Sequence, residues 1–338
     1  MRHFCTYFDL NYLPRGLALY RSLRQVCPSF RLWILCMDAE SRRLLTHLCL
    51  PEVRLIALEE LEREDPELLA VKASRSRLEY YFTCSPVLPL HVLRCEPTID
   101  LITYLDADLY CFSNVEPIFD ELSSYSIGIT AHRFPPSLLH LEEYGRYNVG
   151  WLMFRNDQQG LECLQSWRRC CLEWCYDRCE DGRFADQKYL DEWPSRFSQT
   201  KVLQHAGLNA APWNLAGTVV TGTLGGLRIN GQPLVCFHFH GFKRLWSWLY
   251  EPNLGEYHAT LSAVVRKGIF EPYLQELTAI EADLRHVPGA PVPGNRLKRG
   301  GVRGSNVGMG IATVRRWLRI GRGLATGQYL IQFNGRVL

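Results

Sequence analysis

The chain has 338 residues and a mass of 39.0 kDa, room for one large α/β domain with appendages or for two small domains. Hydrophobic residues make up 47% and charged residues 22%, a composition that packs a core and excludes a wholly disordered chain. The formal charge of +3 hides an asymmetry: no Asp or Glu follows Asp283, residues 285–338 hold ten of the 38 Lys and Arg, and the other 28 face 35 acidic residues, so a nucleic-acid partner would have to rest on the tail alone.

The opening segment MRHFCTYFDL has no long apolar stretch after its basic residues and does not look like a signal peptide. No apolar run reaches the length of a bilayer span. The thirteen Cys are scattered and odd in number, which fits reduced, buried side chains in a cytoplasmic protein better than a disulfide scaffold. HFCTYF reads as a strand, and Leu13 to Arg24 (LPRGLALYRSLR) has apolar residues at helical spacing. FRLWILCM is a second, buried strand, followed by Asp38 and a short helix from Ser41; VRLIAL is a third strand. A long helical stretch from Pro66 to Leu93 is expected to break near Ser85–Pro86, because the residue before a proline is driven out of the helical region. DLITYL is a fourth strand that ends on Asp106. This alternation predicts a largely parallel, doubly wound α/β sheet. Ligands bind at the carboxyl ends of such strands, where Asp38 and Asp106 fall.

The second half is less regular. SIGITAH and YNVGWLMF read as strands, Leu161 to Arg178 as a helix, and LVCFHFH as a late strand. EYHATLSAVVRKG and IFEPYLQELTAIEADL are expected C-terminal helices. HVPGAPVPGNRLKRGGVRGSNVGMG reads as a flexible linker. The final VRRWLRIGRGLATGQYLIQF is basic and apolar together; it suits either a solvated end or a peripheral contact with an anionic membrane at the inner face. The expected organisation is a catalytic domain over 1–250, C-terminal helices over 251–284, and a linker with a basic tail over 285–338.

Asp106-Ala107-Asp108 follows the apolar strand LITYL. Two carboxylates one residue apart at a strand end can face one hard divalent ion, manganese or magnesium, which takes oxygen ligands and keeps positions open for phosphate. Such an ion neutralises charge on a leaving diphosphate. A bare Asp-x-Asp is also an ordinary solvated turn, so its context decides.

That context resembles the GT-A glycosyltransferases, most closely the retaining glycogenin-like and bacterial lipopolysaccharide galactosyl- and glucosyltransferases. YLDADLYCFSNVEPIFDEL is similar to their metal-binding segment. FDLNYLPRGLALYRSL resembles their first β–α turn, which implies donor contacts at Thr6, Tyr7, Asp9, Asn11 and Tyr12. YNVGWLMFRND resembles the segment under the donor sugar and acceptor and implies Asn148 and Gly150. HFHGFK resembles a late His-x-x-Gly-x-x-Lys motif, implying His238 as the third metal ligand and Gly241 and Lys243 at the diphosphate. Here the Lys comes one residue early and Arg244 fills its usual place, so both are phosphate candidates. His240 competes with His238, but the spacing to Gly241 favours His238. Asp186-Gln187 matches the pair beside the anomeric carbon and implies catalytic roles there. Arg75 and Arg77 are further diphosphate candidates.

Asn209, Trp213 and Asn214 are candidates for the acceptor side, with Asp191 and Glu192 as acceptor contacts or surface charges. Cys171, Cys175 and Cys179 are expected on one helix face beside Cys170, packed rather than binding zinc. The resemblance implies a doubly wound mixed GT-A sheet with a helical C-terminal extension. The implied activity is transfer of a hexose from a UDP-sugar to a glycan or glycolipid, with retention. A sugar-nucleotide nucleotidyltransferase is the first rival, but TYFDLNYLPRG lacks the Gly-rich basic loop that cradles triphosphate. An inactive GT-A binding protein is the second.

Overall fold

Strand alternation in the first β-strand assigns one side chain after another to opposite cores. In β1 (Arg2–Phe8), Phe4 and Phe8 enter one apolar cluster while Cys5 and Tyr7 face the other. The computed structural model describes residues 1–223, 225–290, 320–321, 323–324, 327–333 and 336–337. After β1 come α1 (Leu13–Val26), β2 (Phe30–Cys36), α2 (Ala39–Leu48), β3 (Val53–Ala57), α3 (Leu58–Glu64), α4 (Pro66–Val71) and α5 (Arg77–Cys95). Next are β4 (Leu101–Leu105), β5 (Leu109–Cys111), α6 (Glu116–Leu122), β6 (Ile127–Ala131), β7 (Tyr147–Arg155) and α7 (Gln158–Glu173). Short elements follow: α8 (Trp193–Arg196), β8 (Thr200–Leu203), α9 (Pro212–Leu215), β9 (Val220–Thr221), β10 (Arg228–Ile229), β11 (Gln232–Pro233), β12 (Cys236–His238), β13 (Lys243–Trp246) and β14 (Leu249–Glu251). The C-terminal part has α10 (Ala263–Val265), α11 (Glu271–Leu284), β15 (Leu330–Phe333) and β16 (Arg336–Val337).

Seven strands form the central sheet in the order β3-β2-β1-β4-β7-β6-β8. The first four are parallel, as expected. In the second half β7 runs antiparallel to both β4 and β6, while β6 and β8 are parallel, so the sheet is mixed and still largely parallel. The connection from β6 to β7 holds a 3-10 segment, Pro136–Tyr144, that borders a cavity and does not cross the sheet as a βαβ helix would.

The break expected at Ser85–Pro86 lies elsewhere. The α5 helix runs unbroken through Pro86 and Pro89, both buried, and starts at Ser76, whose hydroxyl and Glu79 form a capping box. The two prolines delete backbone donors, and burial of Cys84, Val87, Leu88 and Val92 against the sheet offsets that loss. The α7 helix ends at Glu173, so Cys175 and Cys179 are off it; Cys171 and Cys175 are buried, Cys179 is exposed, and all thirteen thiols are free.

EYHATLSAVVRKG is mostly not a regular α-helix. A 3-10 turn, Gly255–Tyr257, then α10 and a π-helical turn, Arg266–Phe270, precede α11. The α11 helix lies on α1, with Arg21 bridging Glu276 and Asp283. Residues 291–310 of the expected linker lie outside the described residues, as do residues 314–319 of the basic end piece. The described remainder of that piece packs on the protein: β15 pairs with β14, and Ile320 and Tyr329 are buried against Leu249. No described helix is long and apolar enough to cross a membrane.

Candidate active site

The strand β4 delivers Asp106 to its carboxyl end, where the Asp106 N–H donates to Gly150 O on β7 at 3.0 Å. The chain then turns into β5, which pairs antiparallel with β12 and sets His238 opposite Leu109. Phe239 N–H donates to Asp108 O at 2.9 Å, and His238 N–H to Ala210 O at 2.7 Å. Backbone pairing thus fixes three side chains from distant segments. His238 Nε2 lies 3.0 Å from Asp108 Oδ1 and 3.7 Å from Asp106 Oδ2. One ligand atom from each residue falls within 4.8 Å of the others. Adjacent ligands of an octahedral magnesium-sized ion stand about 3.0 Å apart, so two carboxylates and an imidazole at this spacing fit such an ion.

The ionisation pattern matches this use. Burial alone would raise the Asp108 carboxyl, but His238, with Arg15 and His240, holds it well below the usual carboxylate range. Asp106 is raised by burial and by Asp108, against the pull of His238 and of the Tyr104 hydroxyl, which donates at 3.0 Å. Burial lowers His238, and the two carboxylates more than reverse it, so its pKa is raised. The raised pKa favours a protonated His238 ring between the two carboxylates.

Surrounding residues hold His238 in place. Its Nδ1 is 3.3 Å from Asn209 Oδ1, which directs Nε2 at the carboxylates. Asn209 in turn donates to Thr130 Oγ1 and to Asn148 Oδ1, at 3.0 and 2.8 Å. Asn209→Ala is expected to loosen His238 and to weaken any divalent ion held by the cluster about 10- to 100-fold, read by calorimetry with manganese. Gly150 packs under this network: a Cβ there would stand 2.6 Å from Asn148 Oδ1 and 2.7 Å from His238 Nδ1. Gly241 turns the chain after the His pair at φ +69°, and a Cβ would meet Asn253 Nδ2 at 2.1 Å.

The site opens into a cavity of about 1020 Å³. Tyr7, Asp9, Asn11, Tyr12, Arg77, Asp106, Asp108, Asn148, Asp186, Gln187, Trp213 and His238 line it, gathering most of the expected residues. Asp9 accepts from the Asn11 and Tyr12 N–H groups through Oδ1 and from Arg77 through Oδ2 at 2.6 Å. Asp186 is buried, and burial, then Asp106, pushes its carboxyl up to about 7 against a hydrogen bond from Ser85. Gln187 accepts from Asn148 at 3.3 Å and donates to Tyr144 O at 3.0 Å.

Other expected residues stand apart. Thr6 is fully buried inside β1 and does not line the cavity. Lys243 is exposed on β13, and Arg244 is held by Glu281 at 2.9 Å; neither lines the cavity. Arg75 donates to Tyr176 and Leu172 O. Asp191 fastens a loop through Arg146 N–H and Lys188, and Glu192 is exposed. Asn214 caps its own turn by accepting from Ala211 N–H. His240 is exposed and lines the cavity beside Trp213; the charge of neighbouring His238 disfavours its protonation, and of these two imidazoles it is His238 that falls in a grouping able to hold an ion.

Sequence reasoning missed His132, Tyr104, Tyr144 and Phe184 in the lining. His132 ends the SIGITAH segment, so the strand-end rule that found Asp106 would have found it. Its ring is buried among Phe134, Trp213 and Asn148. Burial lowers its pKa to about 3, below the unfolded value near 6.5. The unfolded chain therefore takes up a proton first, and stability is lost as pH falls below about 6.5. Between pH 6 and 4.5, wild-type unfolding free energy is expected to drop about 2 kcal/mol more than that of His132→Gln, measured by urea denaturation.

No protein-family profile matches the chain. Two proteins of Bacillus subtilis strain 168 do. Uncharacterized protein YfnD is 31% identical over 278 residues, 81% of this chain and 88% of its own length. Uncharacterized protein YfnF is 31% identical over 248 residues, 71% of this chain and 81% of its own length. The chain belongs to the family of YfnD and YfnF. Among solved structures, this family member is similar to galactosyltransferase LgtC in complex with donor and acceptor sugar analogues: 14% identity, TM-score 0.50, covering 82% of this chain and 95% of that one. An active-site mutant of LgtC gives 15% identity and TM-score 0.50, covering 85% and 98%. The fold is therefore the GT-A glycosyltransferase fold expected from the motifs.

Proposed function

We propose that the chain is a metal-dependent glycosyltransferase that moves a hexose from a nucleotide-diphosphate sugar, best a UDP-sugar, to a hydroxyl of a glycan or glycolipid, with retention. The observation that carries this reading is the Asp106–Asp108–His238 cluster on the wall of a 1020 Å³ cavity that Asp186 and Gln187 also line. A manganese or magnesium ion held by these three residues would neutralise the leaving diphosphate. Asp9, Asn11, Tyr12 and Arg77, at the N-terminal end of α1 and α5, offer the nucleotide polar and aromatic contacts. Asp186 and Gln187 supply a carboxylate and an amide to a sugar whose ring gains positive charge as its bond to phosphate breaks. Trp213 lines the cavity with an apolar ring that suits the face of a sugar, while its indole N–H is buried away from the opening.

The nucleotidyltransferase alternative gains nothing from the geometry, because no Gly-rich phosphate loop follows β1; Asp9 and the start of α1 stand there. The test incubates the full chain with manganese and a panel of UDP-sugars and follows donor hydrolysis, then repeats it with candidate acceptors. No turnover in the wild type, together with unchanged metal-dependent UDP binding in Asp108→Ala, rejects the reading.

A further inference from the structure

Backbone groups fix the orientation of three side-chain amides in and behind the cavity wall, because a backbone N–H can only donate and a backbone carbonyl can only accept. Gly150 N–H donates to Asn148 at 2.9 Å, so the Asn148 atom it meets is the oxygen, Oδ1. Asn209 shares that oxygen at 2.8 Å and must do so through its amino group, Nδ2. The Asn209 oxygen then faces His238, and the ring nitrogen 3.3 Å from it, Nδ1, carries a proton. In the other direction the Asn148 amino group lies 3.3 Å from Gln187, which turns its oxygen, Oε1, towards it. The Gln187 amino group donates to Tyr144 O at 3.0 Å, an acceptor that admits no other orientation. A further backbone anchor agrees. His132 Nδ1 lies 3.3 Å from Arg146 O and so carries its proton there, which leaves Nε2 bare to accept from the Asn148 amino group at 3.4 Å.

We infer that Asn148 is a positioning residue for Gln187: it holds the Gln187 carboxamide with an N–H, not the oxygen, offered to a hydroxyl oxygen of the transferred sugar. The inference deepens the glycosyltransferase reading above and rests on it. Gln187 lines the cavity, and one of its two N–H bonds has no partner among the described residues, whereas its oxygen already holds Asn148. Gly145 packs against this amide: its φ is +133°, and a Cβ there would stand 3.1 Å from Gln187 Cγ and 3.2 Å from Nε2. Asn148 spends its own bonding inside the protein, with Oδ1 accepting from Gly150 and Asn209 and Nδ2 serving His132 and Gln187. An N–H beside a sugar ring that gains positive charge does not stabilise it, which leaves that charge to Asp186. The same amides keep a proton of His238 on Nδ1 and turn Nε2 towards Asp106 and Asp108, so one set of hydrogen bonds orients both the metal-side imidazole and the sugar-side amide.

The tautomer is read first, on the full chain without ligand. NMR of isotope-labelled histidine rings, assigned with His132→Gln, is expected to place the His132 proton on Nδ1. A proton on Nε2 would turn Asn148 round and overturns the inference. Calorimetry then titrates UDP, UDP-glucose and UDP-galactose, each with manganese, into the full chain and into Gln187→Met, Asn148→Ala and the double variant. The readout is the affinity of the better-bound UDP-hexose relative to UDP. Gln187→Met is expected to lower that ratio about 3- to 10-fold, as loss of one hydrogen bond does, with UDP affinity within about twofold. Asn148→Ala should lower it by a similar factor, and the double variant no further, as residues that act through one another do. An unchanged ratio in Gln187→Met overturns the inference and leaves the glycosyltransferase reading standing. So does an added loss from Asn148→Ala in the Gln187→Met background, which would make Asn148 a sugar contact in its own right. A wild type that binds none of the three nucleotides removes the reading and the inference with it.

Discussion

Asp108→Ala is expected to lower sugar transfer by about 1000-fold or more. A metal that neutralises a leaving diphosphate contributes several kcal/mol of transition-state stabilisation, and each 1.36 kcal/mol is a factor of ten. Asp108 is the best-fixed ligand of the three. Its carbonyl accepts from Phe239 N–H, its carboxylate meets His238 at 3.0 Å, and its side chain is only 11% exposed. The variant also removes the carboxylate that pairs with buried His238 at 3.0 Å, so the apo protein is expected to lose melting temperature at neutral pH, and its fold is checked by circular dichroism before binding is read. The loss should appear in metal-dependent binding. Calorimetry of UDP with and without manganese separates the cases, since the wild type gains affinity from the ion and the variant should not. A variant with wild-type metal enhancement sinks the assignment of the site.

Asp186→Asn is expected to reduce kcat by about 100- to 1000-fold while UDP affinity stays within about threefold. The argument is electrostatic. Burial and Asp106 hold this carboxyl up to about 7, so its charge is disfavoured in the resting site. Positive charge arising on a sugar ring beside it would favour the ionised form, and that interaction grows towards the transition state. The backbone there is held by the Trp167 indole N–H, which donates to Asp186 O at 2.7 Å, so the isosteric amide should sit in the same place. Steady-state kinetics on a donor and acceptor pair separates kcat from KM. A large change in KM alone would make Asp186 a binding residue.

The convergence of Asp106, Asp108 and His238 on one point was legible because each sits in a segment with its own local pattern: an apolar strand before Asp106, and alternating Phe and His around His238. Asn209 was named only for the acceptor side. Its role in orienting His238 depends on a positive-φ backbone at 209 and a bridge between Ala210 and Phe237, neither of which leaves a periodic mark. Lys243 illustrates the opposite failure. A motif fixes spacing along the chain, but a one-residue shift on β13 decides whether a side chain faces a ligand or water. Strand direction was half legible for a similar reason. Parallel order follows from βαβ alternation in the first half, whereas β6 to β7 has no crossover helix to declare its sense. The continuous α5 was misread because proline rules describe isolated helices, and α5 is packed along the sheet.

Trp213 adds something practical. Its indole ring stands 5.1 Å from His132, 5.1 Å from His238 and 5.4 Å from His240, centroid to centroid. Only His238 of these three imidazoles has a raised pKa, and a ring so protonated would have to give up its proton to bind a metal. A divalent ion bound by His238 would replace that proton, and the indole 5.1 Å away would lose an imidazolium neighbour, a change to which Trp emission responds. The chain carries nine tryptophans, so that change is read as the difference between the wild type and Trp213→Phe during a manganese titration without substrate.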